Sequence, residues 1–218
     1  MEQPYLYYTT WGDGGTPTPS ILPKELQACE YLETDGNCYI ILPYTNTTAN
    51  NVKVKIGCDK DNSVIFGARF AANQQNYYIQ NYLNYKRIGF GSNANNYNTT
   101  EKNFIFERNG SDLYIRKFDG TIIHHISDYS TFAGNINMIA FGVALPTIAT
   151  AQSGTKIYTY EINGNISVAC YVKSGKTYID NKSTNCPAGT PGMYDVVNNI
   201  FYTNDGTGAF TVGPDIIL

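Results

Sequence analysis

The chain of 218 residues carries a formal net charge of −3 at pH 7, with 15% charged and 14% aromatic residues. That length suits one sandwich domain with a sizeable core and a short appendage. The weak negative charge, without a basic stripe, predicts no nucleic-acid partner. Residues 1–8 lack the parts of a signal peptide, and no apolar run approaches the ~18 residues of a transmembrane helix, so we expect no membrane insertion.

Residues 1–20 differ in composition from the rest of the chain, and residues 1–11 are rich in aromatic side chains. Solvated tails are usually poor in aromatic residues, whereas binding anchors are rich in them. Residues 12–20 are rich in glycine, proline and threonine, which is typical of a linker. We predict a short extended N-terminal arm that anchors the protein to a partner; the alternative is a disordered leader. The anchoring residues would be Tyr5, Tyr7, Tyr8 and Trp11.

From residue 21 to residue 218 the pattern predicts β-strands and no amphipathic helix. Strands or hairpins are expected over residues 26–42, 52–56, 64–68, 76–90, 103–106, 113–118, 121–126, 137–143, 156–162 and 165–172, with an Asn-rich loop at 92–100 and a final meander over 192–211. About a dozen strands at regular spacing predict an all-β fold, a two-sheet antiparallel jelly-roll sandwich over residues 21–218.

Turn dipeptides divide these strands. Asp119-Gly120 and Asn163-Gly164 are strong hairpin signals, and Asp35-Gly36 is expected to close a hairpin over residues 26–42. In the final meander, an Asn-Asn turn and then Asp205-Gly206 would join three consecutive strands. We expect a type I′ turn there, with a positive φ at Gly206.

The five cysteines show no disulfide or zinc pattern. Their number is odd, no CxxC is present, and Cys29 and Cys38 are poorly placed to form a bridge across the Asp35-Gly36 turn. Buried free thiols are therefore expected at Cys29, Cys38, Cys58, Cys170 and Cys186.

The search for catalytic chemistry is negative. His124 and His125 are the two histidines, and adjacent strand residues point to opposite faces, so they form no dyad. No serine lies in a nucleophile elbow, and no pair of carboxylates has the spacing that glycoside hydrolysis requires. We expect that the protein is not an enzyme and needs no cofactor.

One segment of the sequence partly matches a calcium-binding loop. Asp59, Asp61 and Ser63 resemble the first half of an EF-hand loop, but Val64 stands where glycine is required and Phe70 where the bidentate glutamate should be. A plain turn is the better interpretation, and no metal site is predicted. If a structural calcium were bound, Asp180, Asp195 and Asp205 would be the open candidates.

One segment combines tyrosines with amides in the way that sugar-binding surfaces do. Tyrosine rings stack on the C–H faces of sugars, and amides match sugar hydroxyls as donors and acceptors. The opposing interpretation is that strand tyrosines pack in the core or in cross-strand pairs. The candidate glycan-binding residues are Tyr77, Tyr78, Tyr82, Tyr85, Asn95 and Asn96.

Four blocks of the sequence, residues 29–40, 65–69, 156–162 and 192–210, occur in an order and spacing that is known from one family. The last block, GMYDVVNNIFYTNDGTGAF, is the specific one. Over about residues 26–213 the chain resembles the concanavalin A-like (laminin-G-like) jelly-roll domains of gut Bacteroidetes and their phages. Residues 1–20 lie outside this resemblance, and the arginine-rich strand end of that family is replaced at residues 171–174 by YVKS.

The resemblance implies a phage virion structural protein, a head-fibre or capsid-decoration protein of the crAss-like type. The arm would bind the phage capsid or other virion proteins, and a homotrimer would display the jelly roll to a host-surface glycan. The protein would be made in the host cytoplasm and exposed on the virion; the missing signal peptide and the start at Met1 favour this hypothesis. The alternative is a carbohydrate-binding or adhesion module of a gut bacterial surface assembly.

Overall fold

The computed structural model describes residues 6–8, 19–70, 74–144 and 147–217, with side chains described from residue 22 onward. These residues form β-strands joined by turns; no helix that could cross a membrane is found among them. The strands are β1 (Leu6–Tyr8), β2 (Pro19–Ile21), β3 (Leu26–Ala28), β4 (Leu32–Glu33), β5 (Ile40–Thr47), β6 (Val52–Gly57), β7 (Ser63–Ala68), β8 (Asn76–Asn81), β9 (Tyr85–Gly91), β10 (Asn93–Asn98), β11 (Asn103–Asn109), β12 (Asp112–Lys117), β13 (Ile122–Ser127), β14 (Ala133–Ala140), β15 (Gly142–Ala144), β16 (Ile148–Thr150), β17 (Lys156–Ile162), β18 (Asn165–Val172), β19 (Tyr178–Ile179), β20 (Asn185–Cys186), β21 (Pro191–Asp195), β22 (Ile200–Thr203) and β23 (Thr211–Val212).

Two large sheets pack face to face. The smaller has the order β10-β9-β8-β7-β14-β5, with β15 and β16 attached; the larger has the order β13-β12-β11-β6-β17-β18-β21-β22, with β3, β4 and β23 attached. Neighbouring strands are antiparallel, apart from one parallel bridge between β15 and β7. The predicted all-β, two-sheet antiparallel jelly-roll sandwich is confirmed.

Alternation along the strands places the core between the sheets. In β6, Val52, Val54 and Ile56 are buried, while the intervening lysines Lys53 and Lys55 are only partly covered. Successive strand side chains point to opposite faces, so one face of each sheet supplies the core and the other meets solvent. The main core joins aromatic and aliphatic side chains of both sheets, including Phe66, Phe104, Phe106 and Tyr160.

A second, smaller core covers the outer face of the larger sheet at one end. Tyr194 and Phe201 of β21 and β22 point away from the main core and pack with Leu22, Leu26 and Cys186. The small hairpin of β19 and β20 contributes the ring of Tyr178 to this cluster. The chain before β3 and the β19–β20 hairpin are therefore fixed to the sandwich by apolar burial.

Two of the predicted hairpins close as expected. Asp119-Gly120 joins β12 to β13, with a φ of 89° at Gly120. Asn163 and Gly164 have φ values of 52° and 83°, the pair of positive angles that a type I′ turn requires, and they join β17 to β18. In both cases the turn and its paired strands are adjacent in sequence.

The hairpin predicted over residues 26–42 is wrong. Gly36 does take a positive φ of 103°, but the strands on its two sides do not pair with each other. β4 pairs with β17 and β23 in the larger sheet, and β5 pairs with β14 in the smaller sheet. The turn therefore carries the chain from one sheet to the other. The segment at residues 59–62 does the same between β6 and β7.

The loop predicted over residues 92–100 is also wrong, because residues 93–98 form strand β10. All six residues pair with β9, from Asn93 opposite Phe90 to Asn98 opposite Tyr85. The strand lies at the sheet edge, and its Tyr97 packs against the main core. Asparagine is unfavourable in central strands, but an edge strand leaves its side chains in water.

The prediction of a three-stranded final meander is only half correct. β21 and β22 form the expected hairpin, with Asn199 in a left-handed conformation at a φ of 58°. The next strand, β23, pairs with β4 and not with β22. Gly206 has no positive φ, so the predicted type I′ turn is absent. A Cβ atom at Gly206 would instead lie 2.0 Å from the carbonyl oxygen of Asn37, which explains the glycine by close backbone approach.

The N-terminal arm contributes a two-stranded sheet. β1 pairs antiparallel with β2, from Leu6 opposite Ile21 to Tyr8 opposite Pro19. Tyr7 lies in β1 beside Tyr8, while the predicted anchors at positions 5 and 11 lie outside the described residues. The predicted boundary between residues 20 and 21 falls inside β2.

Candidate functional site

The outer face of the smaller sheet gathers most of the predicted sugar-binding residues. On β8 and β9, Ile79, Ile88 and Phe90 point into the main core, so the alternate positions point outward. Register then aligns outward-facing residues across three strands: Tyr78 opposite Gly89, and Arg87 opposite both Gln80 and Asn96. We call this surface the tyrosine face; it consists of Arg69, Tyr78, Gln80, Tyr82, Tyr85, Arg87 and Asn96.

Two tyrosines form a stacked pair at the end of the β8–β9 hairpin. The rings of Tyr82 and Tyr85 lie 4.4 Å apart at an angle of 19°, and both are half-buried. The Tyr82 N–H donates to the carbonyl of Tyr85 at 2.9 Å, and the N–H of Leu83 donates to the Asp61 carboxylate at 3.1 Å. These bonds hold the tip in one conformation. Burial and the neighbouring Tyr82 raise the pKa of Tyr85, so its hydroxyl is neutral at physiological pH.

Tyr78 lies flat against the sheet because its cross-strand partner is glycine. A Cβ at Gly89 would lie 2.0 Å from Cε1 of the Tyr78 ring. Next to it, Gly67 has a φ of 120°, and a Cβ there would lie 1.9 Å from the Tyr77 carbonyl oxygen. Since Tyr78 is only 3% exposed, it forms part of the floor of the face and does not itself stack on a ligand.

Two of the predicted contact residues point elsewhere. Tyr77 is completely buried on the inner side, its hydroxyl donates to the Asn50 carbonyl at 2.9 Å, and burial raises its pKa far above the usual range. The prediction that Tyr77 contacts a glycan is therefore wrong. Asn95 is exposed, but it pairs with Ile88 and shares the inner side of β10 with Tyr97. Of the six candidates, Tyr82, Tyr85 and Asn96 remain accessible on the tyrosine face.

Two arginines that were not among the predicted site residues belong to the same face. The Arg69 guanidinium carbon lies 5.9 Å from the centre of the Tyr78 ring, a cation–π geometry. Arg87 lies between Gln80 and Asn96 in the middle of β9. Alternation with the buried Ile88 would have placed Arg87 outward. The position of Arg69 depends on the pairing of β7 with β8.

The histidines are held apart. His125 Nε2 lies 2.9 Å from Asp112 Oδ1, and its ring stacks on Tyr114 at 4.5 Å. His124 Nε2 lies 2.8 Å from the Asn98 carbonyl oxygen, where the edge strands of the two sheets meet. The two rings therefore serve separate contacts on opposite faces of β13.

The aspartates named for calcium are bound by groups of the protein itself. Asp195 Oδ1 accepts from the N–H groups of Val197 and Asn198, both at 2.9 Å, and so closes the β21–β22 turn. Asp205 Oδ2 accepts from the Ile41 N–H at 2.7 Å. Within the described ranges, no three His, Cys, Asp or Glu side chains are grouped as metal ligands.

All five cysteines are free and buried, which confirms the expectation of buried thiols. Burial raises the pKa of Cys29 to about 12 and that of Cys38 to about 11. The thiolate is the nucleophile, so these thiols are unreactive at neutral pH. The pair across the Asp35-Gly36 turn forms no disulfide.

A concave surface that was not predicted lies beside edge strand β22. This cleft of about 820 Å³ is bounded by Pro43, Tyr178, Ile179 and Tyr202, with three asparagines at its rim. Tyr202 is buried and faces the main core, while Tyr178 packs in the second core, so the cleft presents ring edges and aliphatic side chains. Its walls come from four segments that are distant in sequence, and no local pattern marks them.

No known family model matches the sequence, and no curated protein matches it. Among solved structures, the chain is similar to the mouse laminin alpha1 chain, domains LG4-5, with 11% sequence identity and a TM-score of 0.45. The alignment covers 90% of this chain and 52% of that one, so this chain spans about half of its length. The likeness concerns the fold alone.

Proposed function

We propose that this protein is a glycan-binding display domain, and that it acts by adhesion without catalysis or a cofactor. The observation that carries the proposal is the tyrosine face, where the Tyr82–Tyr85 stack adjoins the amides of Gln80 and Asn96 on a rigid sheet. Flat aromatic surface binds the apolar side of a sugar ring, and amides satisfy its hydroxyls. The separated histidines and the buried thiols support a role without a reacting group.

A shallow face of this kind needs several copies to adhere. It contacts one sugar over a small area, so the affinity of a single site is low. Linked copies raise the avidity by roughly 10²–10⁴ without any new contact. This requirement favours a repeated, surface-displayed assembly, and we propose a homotrimer as the displayed unit.

We further propose that the assembly is a phage virion, in which the protein is a head-fibre or capsid-decoration protein. The support is the sequence resemblance to jelly-roll domains of gut Bacteroidetes phages, together with the aromatic arm of residues 1–20. In this proposal the arm binds the capsid or another virion protein, and the sandwich points outward toward a host-surface glycan. The competing proposal is a carbohydrate-binding or adhesion module of a gut bacterial surface assembly, which would carry the same face.

The glycan proposal is tested by binding of the full chain to immobilised glycans from gut bacterial surfaces. Tyr85→Ala breaks the stacked pair, and we expect it to weaken binding about tenfold or more, as removal of an aromatic anchor commonly does. Tyr129→Ala is the matched control, because Tyr129 is 80% exposed and lies outside the tyrosine face. Equal affinity of both variants and the parent protein would exclude the tyrosine face as the binding surface.

The virion proposal is tested by deletion of residues 1–20. Leu22 is 1% exposed in the second core, so the deletion ends before the packed part of the chain begins. We expect the shortened protein to keep its thermal transition and to be missing from purified particles. Trp11→Ala and Tyr8→Ala should each reduce incorporation. Full incorporation of the shortened protein would show that the arm is not the anchor.

A further inference from the structure

The two arginines of the tyrosine face lack an anionic partner among the described residues. The chain has four arginines. Arg116 donates to Glu107 at 2.7 Å, and Arg108 is enclosed in the core with its guanidinium over an aromatic ring. Arg69 and Arg87 differ from both, because they are partly exposed on the outer face of the smaller sheet and form no ion pair with a carboxylate in the described part of the chain; their Nε atoms, like that of Arg108, are buried without an acceptor there.

The absence of a carboxylate partner is not due to a shortage of acidic residues. Acidic residues outnumber basic ones, 18 to 15, so carboxylates are not scarce. Two partly exposed guanidinium groups without a carboxylate partner on one face are placed to receive an acceptor that comes from outside the chain.

The spacing of the arginines suits an extended ligand. By register, Arg69 and Arg87 lie two strands apart and four residues along, which places their Cα atoms roughly 17 Å from each other. The flat Tyr78 ring on Gly89 lies between them, so no side chain rises to divide the surface. The Tyr82–Tyr85 stack continues the face beyond Arg87.

The chemistry of guanidinium selects the ligand. Its planar fork of N–H groups pairs with a carboxylate through two parallel hydrogen bonds, and this pairing is about twice as strong as a neutral hydrogen bond. Neutral sugar hydroxyls would leave the positive charge uncompensated. An acidic sugar supplies both the carboxylate for the arginines and the ring face for the tyrosines.

We propose that the tyrosine face binds an acidic saccharide whose carboxylates pair with Arg69 and Arg87 while its rings lie on the Tyr82–Tyr85 stack. This inference rests on the proposed function and adds the chemical class of the glycan. The amides of Gln80 and Asn96, on either side of Arg87, would contact hydroxyls of the same sugar.

The test compares an acid with its own ester. The full chain is titrated calorimetrically with trigalacturonic acid and with its methyl ester, which keeps the sugar rings and removes the charge. We expect the acid to bind about tenfold more tightly or better, with an affinity that falls as salt is added. Arg87→Gln and Arg69→Gln should each weaken binding of the acid about tenfold and should reduce binding of the ester much less, since the ester has no charge to pair. Arg116→Gln is the matched control, because that arginine already has a carboxylate partner.

The outcomes separate this inference from the proposed function. Equal binding of acid and ester, or full affinity in the Arg69→Gln, Arg87→Gln double variant, would overturn the acidic ligand and leave glycan binding intact. Binding of neutral glycans without any binding of the acid would do the same. If the chain binds neither acidic nor neutral glycans, both the inference and the proposed function are wrong.

Discussion

The carboxylate of Asp180, in the segment that joins β19 to β20, accepts three hydrogen bonds. Its Oδ1 accepts from the N–H groups of Lys182 at 2.9 Å and Thr184 at 2.8 Å, and its Oδ2 accepts from the Thr203 hydroxyl at 2.7 Å. Burial acts to raise the pKa of this carboxyl, but the hydrogen bonds from Thr203, Thr184 and Lys182 outweigh it and lower the pKa below its usual range. The charged form therefore stabilises the fold.

This shift predicts how stability depends on pH. A carboxyl with a lowered pKa in the folded state contributes stability above its ordinary value of about 3.9, and the contribution is lost as the pH falls through the folded pKa. Asp180→Asn should therefore be less stable at pH 7 and should lose less stability than the parent protein between about pH 4 and pH 2. Thr203→Val removes one of the three hydrogen bonds and should give an intermediate curve. Identical slopes of melting temperature against pH for all three proteins would contradict the prediction.

Gly206 shows a second kind of single-residue constraint. A Cβ there would meet the Asn37 carbonyl oxygen at 2.0 Å, and backbone cannot move aside as a flexible side chain can. We expect Gly206→Ala to destabilise the protein by about 2–3 kcal/mol, the cost of overpacking. Gly110→Ala is the control: Gly110 has a φ of 60° and nothing within 4 Å, so only backbone strain of about 1 kcal/mol applies. Denaturant unfolding measures both, and equal losses would show that close approach is not the constraint.

At the scale of elements, the segment after β22 joins the two sheets. Asn204 Oδ1 accepts from the Tyr39 N–H at 3.1 Å, and Asn204 Nδ2 donates to the Gly208 carbonyl at 2.8 Å. The backbone adds a bond from the Asp205 N–H to the Tyr39 carbonyl at 2.8 Å. The segment thus leaves the larger sheet at β22 and binds the smaller sheet just before and along β5.

Asn204 should therefore contribute more to the free energy of unfolding than is usual for a residue in an irregular segment. We expect Asn204→Ala to cost about 2 kcal/mol, because several half-buried backbone groups lose their partners at once. Asn185→Ala, at an exposed position of β20, should change stability by less than about 0.5 kcal/mol. Hydrogen exchange of the Tyr39 and Gly206 amides, which both donate to Asn204 Oδ1, gives a local measure. Unchanged protection of both amides in Asn204→Ala would show that the segment is held by other contacts.

At the scale of the whole molecule, the shallow tyrosine face leads to a prediction of oligomeric state. One copy would bind a glycan weakly, so adhesion requires that several copies be held together. We expect a homotrimer whose arms gather at one end. Light scattering of the full chain should give about three times the monomer mass of 24.2 kDa at micromolar concentration, and the chain without residues 1–20 should dissociate. A mass of one chain in both cases would contradict the prediction.

The class of fold and the hairpins between adjacent strands could be predicted from local patterns in the sequence. Alternating apolar residues specify which face of β6 is buried, and Asn163-Gly164 specifies the turn between β17 and β18. Both features depend on residues within a few positions of each other. The prediction of a loop over residues 92–100 failed because it too rested on local composition, the asparagines of β10. Their low strand propensity is a local preference, and pairing with β9 at a solvated edge overrides it.

The tertiary structure alone decided which strands are partners across long distances and which tyrosines face solvent. The turn at Gly36 has the local signature of a hairpin, yet its flanking strands pair with distant strands in different sheets, β4 with β17 and β5 with β14. Tyr77 and Tyr78 are neighbours with the same chemistry; one is enclosed in the core and the other lies on Gly89. Side-chain direction alternates along a strand with no change in composition, so only the register of β8 against β7 and β9 fixed the candidate site.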